Sequence, residues 1–452
     1  MQSDPEKLFI EKALYPAMEA VKGNRVRTYY QELRQSQTWS AEALRRLQAE
    51  KLKKLLRACL LSVPAYRDCG LSEEQIEKDP FSALSRVPLL RRRAFRENAG
   101  RYCSEDPNAG ARILNRTGGS TGEPVTFYMS RYAVEHYEAA RFRGLSWHGL
   151  SFGSRCAMLW GNPIELDEQA RRTAALRDRF LKNRVILSAY ELSEQTAADG
   201  VRFLNRYQPE YLYGYANALA QFARLLAEQP DSLRLNRLKA VVSTSETLYP
   251  EQRALLEKTF GCRVANEYGA RDAGILAYEC PCGGLHLTAE NAVVEIVDPV
   301  TGAPVPTGES GLVVVTDLHN FVMPRLRYVL GDVAALSAEA CPCGLGLPLL
   351  KSIEGREDAL FTLPDGTLVH GNFVNQLTRK YPGLAQFQLV QKTKERAVLY
   401  VVCGDDAQSG LSAFRREVEA HLPGVAVTLD RVASIAPAPS GKTRYAVREF
   451  PL

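Results

Sequence analysis

The 452-residue chain lacks any apolar run long enough to cross a bilayer, which excludes a helical membrane span. It lacks a charge excess. Lys and Arg number 57 against 52 Asp and Glu, and a net charge of +5 over this length does not single out nucleic acid as a partner. No apolar signal core accompanies the opening MQSDPEKLFIEK, where acids come early, so the cytoplasm is the expected compartment. Internal repeats and low-complexity segments are missing too. With 45% hydrophobic and 24% charged residues, the composition is that of an ordinary soluble globular chain. The length exceeds what one hydrophobic core usually supports, so two or more structural units are expected.

What is present falls into three textures. Up to about residue 105 the chain reads as helical. Leu44, Leu47, Leu52, Leu55, Cys59 and Leu60 recur at helical spacing behind Ser40, a suitable N-cap. Arg45, Arg46, Lys51, Lys53, Lys54 and Arg57 fall mostly on the other face and are expected to be solvated, as are Arg91, Arg92 and Arg93. From about 110 to 330, short apolar runs alternate with helical stretches, which predicts an α/β domain. Strands are expected at 155–161 and 238–244 and a helix at 215–228. Segments 292–299 and 310–318 flank a Pro/Gly-rich turn and read as a β-hairpin. After about 355, strand patterns at 396–404 and 425–432 flank an amphipathic helix at 411–422, a small α+β unit.

Two features carry chemistry. NRTGGSTGEP at 115–124 concentrates Gly118, Gly119 and Gly122 with Thr117, Ser120 and Thr121. Backbone N–H groups and hydroxyls that converge on one point suit the oxygens of a polyphosphate. The loop lacks the Gly-Lys-Ser/Thr of a Walker A motif and is not a G-x-G-x-x-G fingerprint. The second feature is sulfur. Ten cysteines in a reducing compartment need a reason other than disulfides, and ECPCGGLH at 279–286 and CPCG at 341–344 each offer a close pair. Thiolates and imidazole suit tetrahedral Zn²⁺, and composition alone suggests Cys280, Cys282, Cys341 and Cys343. His136, His148, His319, His370 and His421 show no metal spacing.

The glycine loop is followed in order by EYGARDAG at 267–274, RYVLGD at 327–332, EGRED at 354–358 and PSGK at 439–442. This ordered set resembles the adenylate-forming superfamily of acyl-CoA synthetases, peptide-synthetase adenylation domains and luciferases. Within it, the chain looks like the phenylacetate-CoA ligase-like branch, with its capsule-biosynthesis (CapK-like) and coenzyme-synthetase relatives. The N-terminal TWSAEALRRLQAEKLKKLLRACLLSVPAYRD is similar to that branch as well, so the resemblance covers nearly the whole chain.

The resemblance implies an α/β fold in two domains. A large N-terminal adenylation domain, 1–355, would hold a helical segment to about 105, the ATP and acyl sites, and a zinc subsite within 280–343. A small mobile α+β C-terminal domain, 356–452, would carry the catalytic lysine. ATP and Mg²⁺ are implied, with a small-molecule carboxylic acid, aromatic by analogy with the branch, that attacks the α-phosphorus to give an acyl-adenylate and pyrophosphate. CoA is the implied acceptor. The capsule-type relatives suggest an amine, a hydroxyl or a carrier protein as the alternative, and a non-catalytic zinc-stabilised binding protein is the third reading. A homodimer is common in the branch.

Residue by residue, Thr117, Gly118, Gly119, Ser120, Thr121 and Gly122 would cradle the phosphates. Glu267, Tyr268 and Gly269 match the superfamily's Tyr-Gly segment, with Tyr268 on the adenine and Gly269 at the edge of the acyl pocket. Asp272 stands where the family has a Mg²⁺-linked glutamate, and Arg271 replaces its usual threonine. Ser245 and Glu246 would lie near the adenine and the acyl pocket, with Tyr213, Tyr215 and Asn217 bordering the acyl group. Asp332 would hold the ribose hydroxyls, and Arg356 the ribose or phosphates. Asp358 matches the hinge, followed by Ala359 where the family often has a second aspartate. Lys442 matches the catalytic lysine that bridges the substrate carboxylate and the α-phosphate. The branch's Glu-Cys, Leu-His and Cys-Pro-Cys-Gly pattern implies Cys280, His286, Cys341 and Cys343 as zinc ligands, with Cys282 a possible replacement.

Overall fold

The computed structural model describes residues 4–116, 125–160, 168–189, 194–227, 233–371, 373–377, 380–381, 384–404, 408–436 and 444–450. The glycine loop Thr117–Gly122 and Lys442 therefore lie outside the described residues.

The N-terminal segment is helical, as its periodicity predicts. Ser40 caps the helix Ala41–Ser62 by accepting from Ala43 N, and Leu44, Leu52, Leu55, Leu56 and Cys59 are buried beneath it. The basic face is less uniform than expected. Arg57 pairs with Glu73 and Glu77, Lys53 with Glu77, and Arg45 lies 3.1 Å above the Phe81 ring. Lys51 corrects the expectation. It turns inward, donating to Glu290 O at 2.8 Å beside His319 Nε2 at 3.4 Å, and burial pulls its pKa down to about 8. Helical spacing alone does not reveal that the chain at 290–319 covers this flank.

A two-stranded hairpin, β1 (Arg112–Arg116) and β2 (Thr126–Ser130), flanks the glycine loop. The centre of the molecule is an eleven-stranded sheet. Its first half comprises β3 (Cys156–Trp160), β4 (Arg184–Ser188), β5 (Tyr211–Tyr215), β6 (Ala240–Thr244) and β7 (Arg263–Ala270), all joined in parallel. The second half comprises β8 (Gly274–Glu279), β9 (Leu285–Leu287), β10 (Ala292–Val297), β11 (Ser310–Asp317), β12 (Tyr328–Leu336) and β13 (Leu349–Arg356), all antiparallel. The spatial order is β10-β11-β12-β13-β9-β8-β7-β6-β5-β3-β4. β6, AVVST, is buried at every position, as a strand covered on both faces must be. The expected strands, the helix Ala216–Ala227 and the hairpin β10–β11 are all present. The mixed α/β class agrees with the sequence.

Beyond Arg356 the chain forms a short hairpin, β14 (Leu360–Thr362) with β15 (Leu368–His370), and then a four-stranded sheet. The sheet contains β16 (Leu384–Thr393), β17 (Arg396–Cys403), β18 (Ala426–Arg431) and β19 (Ala446–Arg448), in the order β18-β17-β16-β19. The helix Gln408–Ala420 packs on it, and Phe361, Leu389, Leu399, Phe414 and Val418 form a core of their own.

Candidate active site

In an open α/β sheet, ligands bind beyond the carboxyl ends of the parallel strands, near the point where the topology changes. Here that change falls at β7, whose other neighbour, β8, is antiparallel. Trp160, Tyr215, Ser245 and Glu246, and Tyr268 and Gly269 all lie at or just past the carboxyl ends of β3, β5, β6 and β7. Ser245 has φ +65°, a left-handed conformation uncommon for a non-glycine residue, directly after β6.

On the nucleotide side, Asp332 and Arg356 face each other across β12 and β13, and Arg356 Nη1 donates to Asp332 Oδ1 at 2.8 Å. Tyr268 donates its hydroxyl to Asp332 Oδ2 at 3.0 Å. Each carboxylate oxygen has two acceptor directions, so both retain capacity for a further donor. The Gly331–Asp332 pair closes the RYVLGD motif. It lies within β12, where Gly331 takes φ +77°. A Cβ on Gly331 would come within 2.9 Å of Arg356 Nη2, so glycine is what lets the guanidinium reach the carboxylate.

Glu267 is sealed in. Its carboxylate accepts from Tyr213 Oη at 2.6 Å, Arg141 Nε at 3.2 Å and Thr244 Oγ1 at 3.2 Å. Tyr213 is itself part of the core, whereas Tyr215 stacks on Trp160 at 4.3 Å and forms an aromatic wall. Next to it, Asn217 N donates to Glu246 Oε2 at 2.9 Å, and Asn217 Oδ1 accepts from Gln252 Nε2 at 2.8 Å.

Asp272 sits in the turn between β7 and β8, with 4% of its surface exposed. Its Oδ2 accepts from Tyr328 Oη at 3.0 Å and lies 3.9 Å from Arg92 Nη2. The carboxylate keeps acceptor capacity beyond the tyrosine's hydrogen bond, but the Arg92 guanidinium beside it opposes a hard cation, so this carboxylate alone fits Mg²⁺ poorly. Arg271 donates to Arg116 O at 3.0 Å, which fastens the end of β1, where the glycine loop begins, to the same turn. Asp358 pairs with Arg444, and the adjacent Glu357 with Arg91 at 2.9 Å.

The sulfur residues assemble elsewhere. Cys280, His286, Cys341 and Cys343 bring their ligand atoms within 4.8 Å of one another, while Cys282 is exposed and outside the group. Cys280 Sγ to Cys341 Sγ is 3.6 Å and Cys343 Sγ to His286 Nε2 is 3.2 Å. Ligands around tetrahedral zinc would be about 3.7 Å apart for S–S and about 3.5 Å for S–N, so the spacing fits. His286 Nδ1 lies 3.4 Å from Leu347 O, which aims Nε2 at the sulfurs, and burial holds the imidazole pKa low, in the neutral ligating form. A Cβ on Gly284 would come within 2.6 Å of Cys341 Sγ, so this glycine makes room for the approach.

Sequence reasoning missed Arg92, Arg141, Trp160 and Tyr445. Arg92 is hidden in a run of three arginines, and Arg141 and Trp160 belong to no motif. Tyr445 lies three residues after Lys442, a proximity that could have drawn attention to it.

No family model matches the chain. Protein CapK of Staphylococcus aureus is 24% identical over 386 residues, covering 83% of this chain and 82% of that protein. A phenylacetate-coenzyme A ligase of Thermus thermophilus is 26% identical over 338 residues, 72% of this chain and 73% of that one. The crystal structure of 2-hydroxyisobutyryl-CoA ligase in its postadenylation state, with 2-HIB-AMP, superposes with a TM-score of 0.70 at 20% identity, over 92% of this chain and 91% of that one. In its thioesterification state the same protein gives a TM-score of 0.60 over 92% of each chain. The likeness in fold extends over nearly the whole molecule.

Proposed function

We propose that this chain, which belongs to the adenylate-forming superfamily, is an AMP-forming carboxylate–CoA ligase. The observation that carries the reading is the Asp332 carboxylate, held by Arg356 and Tyr268 at the carboxyl edge of the sheet with acceptor capacity left over. Such a group suits the two hydroxyls of a ribose. Tyr268 would lie against the adenine, and Thr117–Gly122, which follow β1 in sequence, would take the phosphates.

In the first step the acid's carboxylate oxygen attacks the α-phosphorus of ATP, and pyrophosphate leaves with the electron pair of the broken P–O bond. Negative charge shifts between these groups, and Lys442 is the residue we assign to stabilise it. A compact ammonium on a long stem suits a group delivered by a small domain. In the second step the CoA sulfur attacks the acyl carbon and AMP leaves. We assign 1–355 to the adenylation domain and 356–452 to a unit that turns about Asp358. The Trp160–Tyr215 wall supports an aromatic acid as the substrate. Mg²⁺ customarily accompanies ATP as its counter-ion. Cys280, His286, Cys341 and Cys343 would hold a Zn²⁺ that ties β8 and β9 to the segment before β13. With four protein ligands it has no open position, and its role is structural.

The test is acid-dependent ATP–pyrophosphate exchange over a panel of aryl, fatty and hydroxy acids, followed by CoA addition. Exchange with an aryl acid and thioester formation are expected. Binding of ATP with no exchange from any acid would overturn the ligase reading, and exchange without a thioester would overturn CoA as the acceptor.

A further inference from the structure

We infer that Arg141 sets the specificity of the acyl pocket: its outward N–H groups select an aromatic acid that carries an uncharged oxygen, such as a ring hydroxyl, at the end of the ring away from its carboxylate. The inference rests on the ligase reading above and narrows the substrate class of that same site.

Strand register places the site. Tyr215, Thr244 and Glu267 are partners across β5, β6 and β7, and Trp160 extends the row by stacking on Tyr215. The helix Arg131–Trp147 packs Ala139, Ala140 and Leu145 into the core that holds Tyr213, and from it Arg141 reaches Glu267. Its Nε donates to Glu267 Oε2 at 3.2 Å and its Nη2 to Oε1 at 3.5 Å. The guanidinium carbon lies 5.7 Å from the centre of the Tyr213 ring, which is in turn 5.8 Å from the Trp160 ring. The aromatic wall at Tyr215 and Trp160 thus continues through Tyr213 and ends at Arg141. Gly269, assigned to the edge of the acyl pocket, lies two residues past Glu267, about 7 Å along β7. That is the length of one benzene ring with a substituent at each end. An acid whose carboxylate meets ATP beside Gly269, with its ring on the wall, brings its far substituent level with Arg141.

Glu267 and Arg141 differ in what they leave open. The Glu267 side chain is 1% exposed, and its carboxylate is held by Tyr213, Thr244 and Arg141. The Arg141 side chain keeps 38% of its surface open. Two of its five N–H donors serve Glu267, and the other three meet no acceptor among the described residues. Glu267 fixes the plane of the guanidinium and offsets its charge, so the open edge is an oriented donor on a neutral pair. An uncharged oxygen accepts from it freely, whereas a second carboxylate would also face Glu267 behind it. A plain aryl acid would cover these donors without pairing them, which costs affinity.

The test compares benzoate with 4-hydroxybenzoate, and phenylacetate with 4-hydroxyphenylacetate, in pyrophosphate exchange by the full chain. In at least one pair the hydroxylated acid should have about tenfold higher kcat/KM, carried by KM. Arg141→Lys keeps the charge and loses the fork, and Arg141→Met combined with Glu267→Gln leaves no buried charge unpaired. In both variants the ratio should fall to about one, a change that a general loss of fold or activity does not produce. Equal or reversed preference in wild type, or a preference that persists in both variants, overturns the inference. So does exchange with other acids but with none of these four. If wild type exchanges with no acid at all, the ligase reading fails, and calorimetric titration of the same pairs decides the site. About tenfold tighter binding of the hydroxylated acid, lost in the double variant, upholds it, and equal binding or none overturns it.

Discussion

Strand β13 joins two polar constellations that differ in what they leave unused. Before its first residue, Leu349, runs the 341–347 segment, which brings Cys341 and Cys343 to Cys280 and His286. At its last residue stands Arg356, locked to Asp332. In the first set every ligand atom turns toward its partners, and the set is complete in itself. In the second, the carboxylate is held from two sides and still has acceptor capacity. A closed set can only hold chain segments together, whereas a set with capacity left over can bind. The difference teaches where to look for chemistry: stability should live at the start of β13 and activity at its end.

The sharpest way to break this division is Lys442→Ala. Loss of one charge-stabilising donor should lower pyrophosphate exchange by about 10²–10³-fold with no change in thermal midpoint. Near-wild-type exchange would remove the lysine from its assigned role. Next is Asp332→Asn, which weakens the grip on the ribose and on Arg356. The KM for ATP should rise about tenfold, again with the melting curve little altered. A large fall in the midpoint would mean that the pair is structural, and the two ends of β13 would no longer differ.

The closed set should respond the other way. Cys343→Ser, or a strong chelator added to wild type, is expected to lower the melting midpoint by roughly 5 °C or more and to release one zinc per chain in a colorimetric assay. Gly284→Ala should do the same more mildly, because its new methyl group would push on Cys341 Sγ. Intact stability with no zinc released would leave the four residues as an unmetallated thiol cluster.

These outcomes bear on how much was legible in the sequence. The helix behind Ser40, the β10–β11 hairpin and the C-terminal strand–helix–strand follow from local periodicity and are present as expected. The four-residue sulfur and histidine group was named, but composition alone could not choose between Cys282 and His286. That choice depends on Pro281 and the glycines turning Cys282 outward while β9 carries His286 back beneath Cys341. The lost details are long-range. Lys51 looks like its solvated neighbours until the chain at 290–319 covers it, and Arg92 differs from Arg91 and Arg93 only because Asp272 comes to lie beside it. No local pattern shows that β13 pairs with β12 and brings Arg356 to Asp332. The assigned phosphate loop and lysine were legible as motifs alone, and they fall outside the described residues.

A third polar cluster sharpens the comparison, because it is buried. His136 and His319 stack at 3.7 Å, both buried, with Lys51 beside them. Burial holds His136 near a pKa of about 3 and His319 well below its usual value. The unfolded histidine titrates near about 6.5, so as the pH falls below that point the unfolded chain takes up protons that the folded chain refuses. Stability contributed by the neutral pair is therefore full above neutrality and declines with acid. The slope should approach roughly 1.4 kcal/mol per pH unit for each histidine between pH 6 and 4. His136→Phe keeps the ring against Tyr29 and His319 and removes one titrating site, so it should reduce the acid slope of the unfolding free energy by the share of one histidine, roughly 1.4 kcal/mol per pH unit. An unchanged slope would mean that the cluster admits a proton without opening. It would then belong with Asp332 and Arg356 rather than with the closed group at the other end of β13.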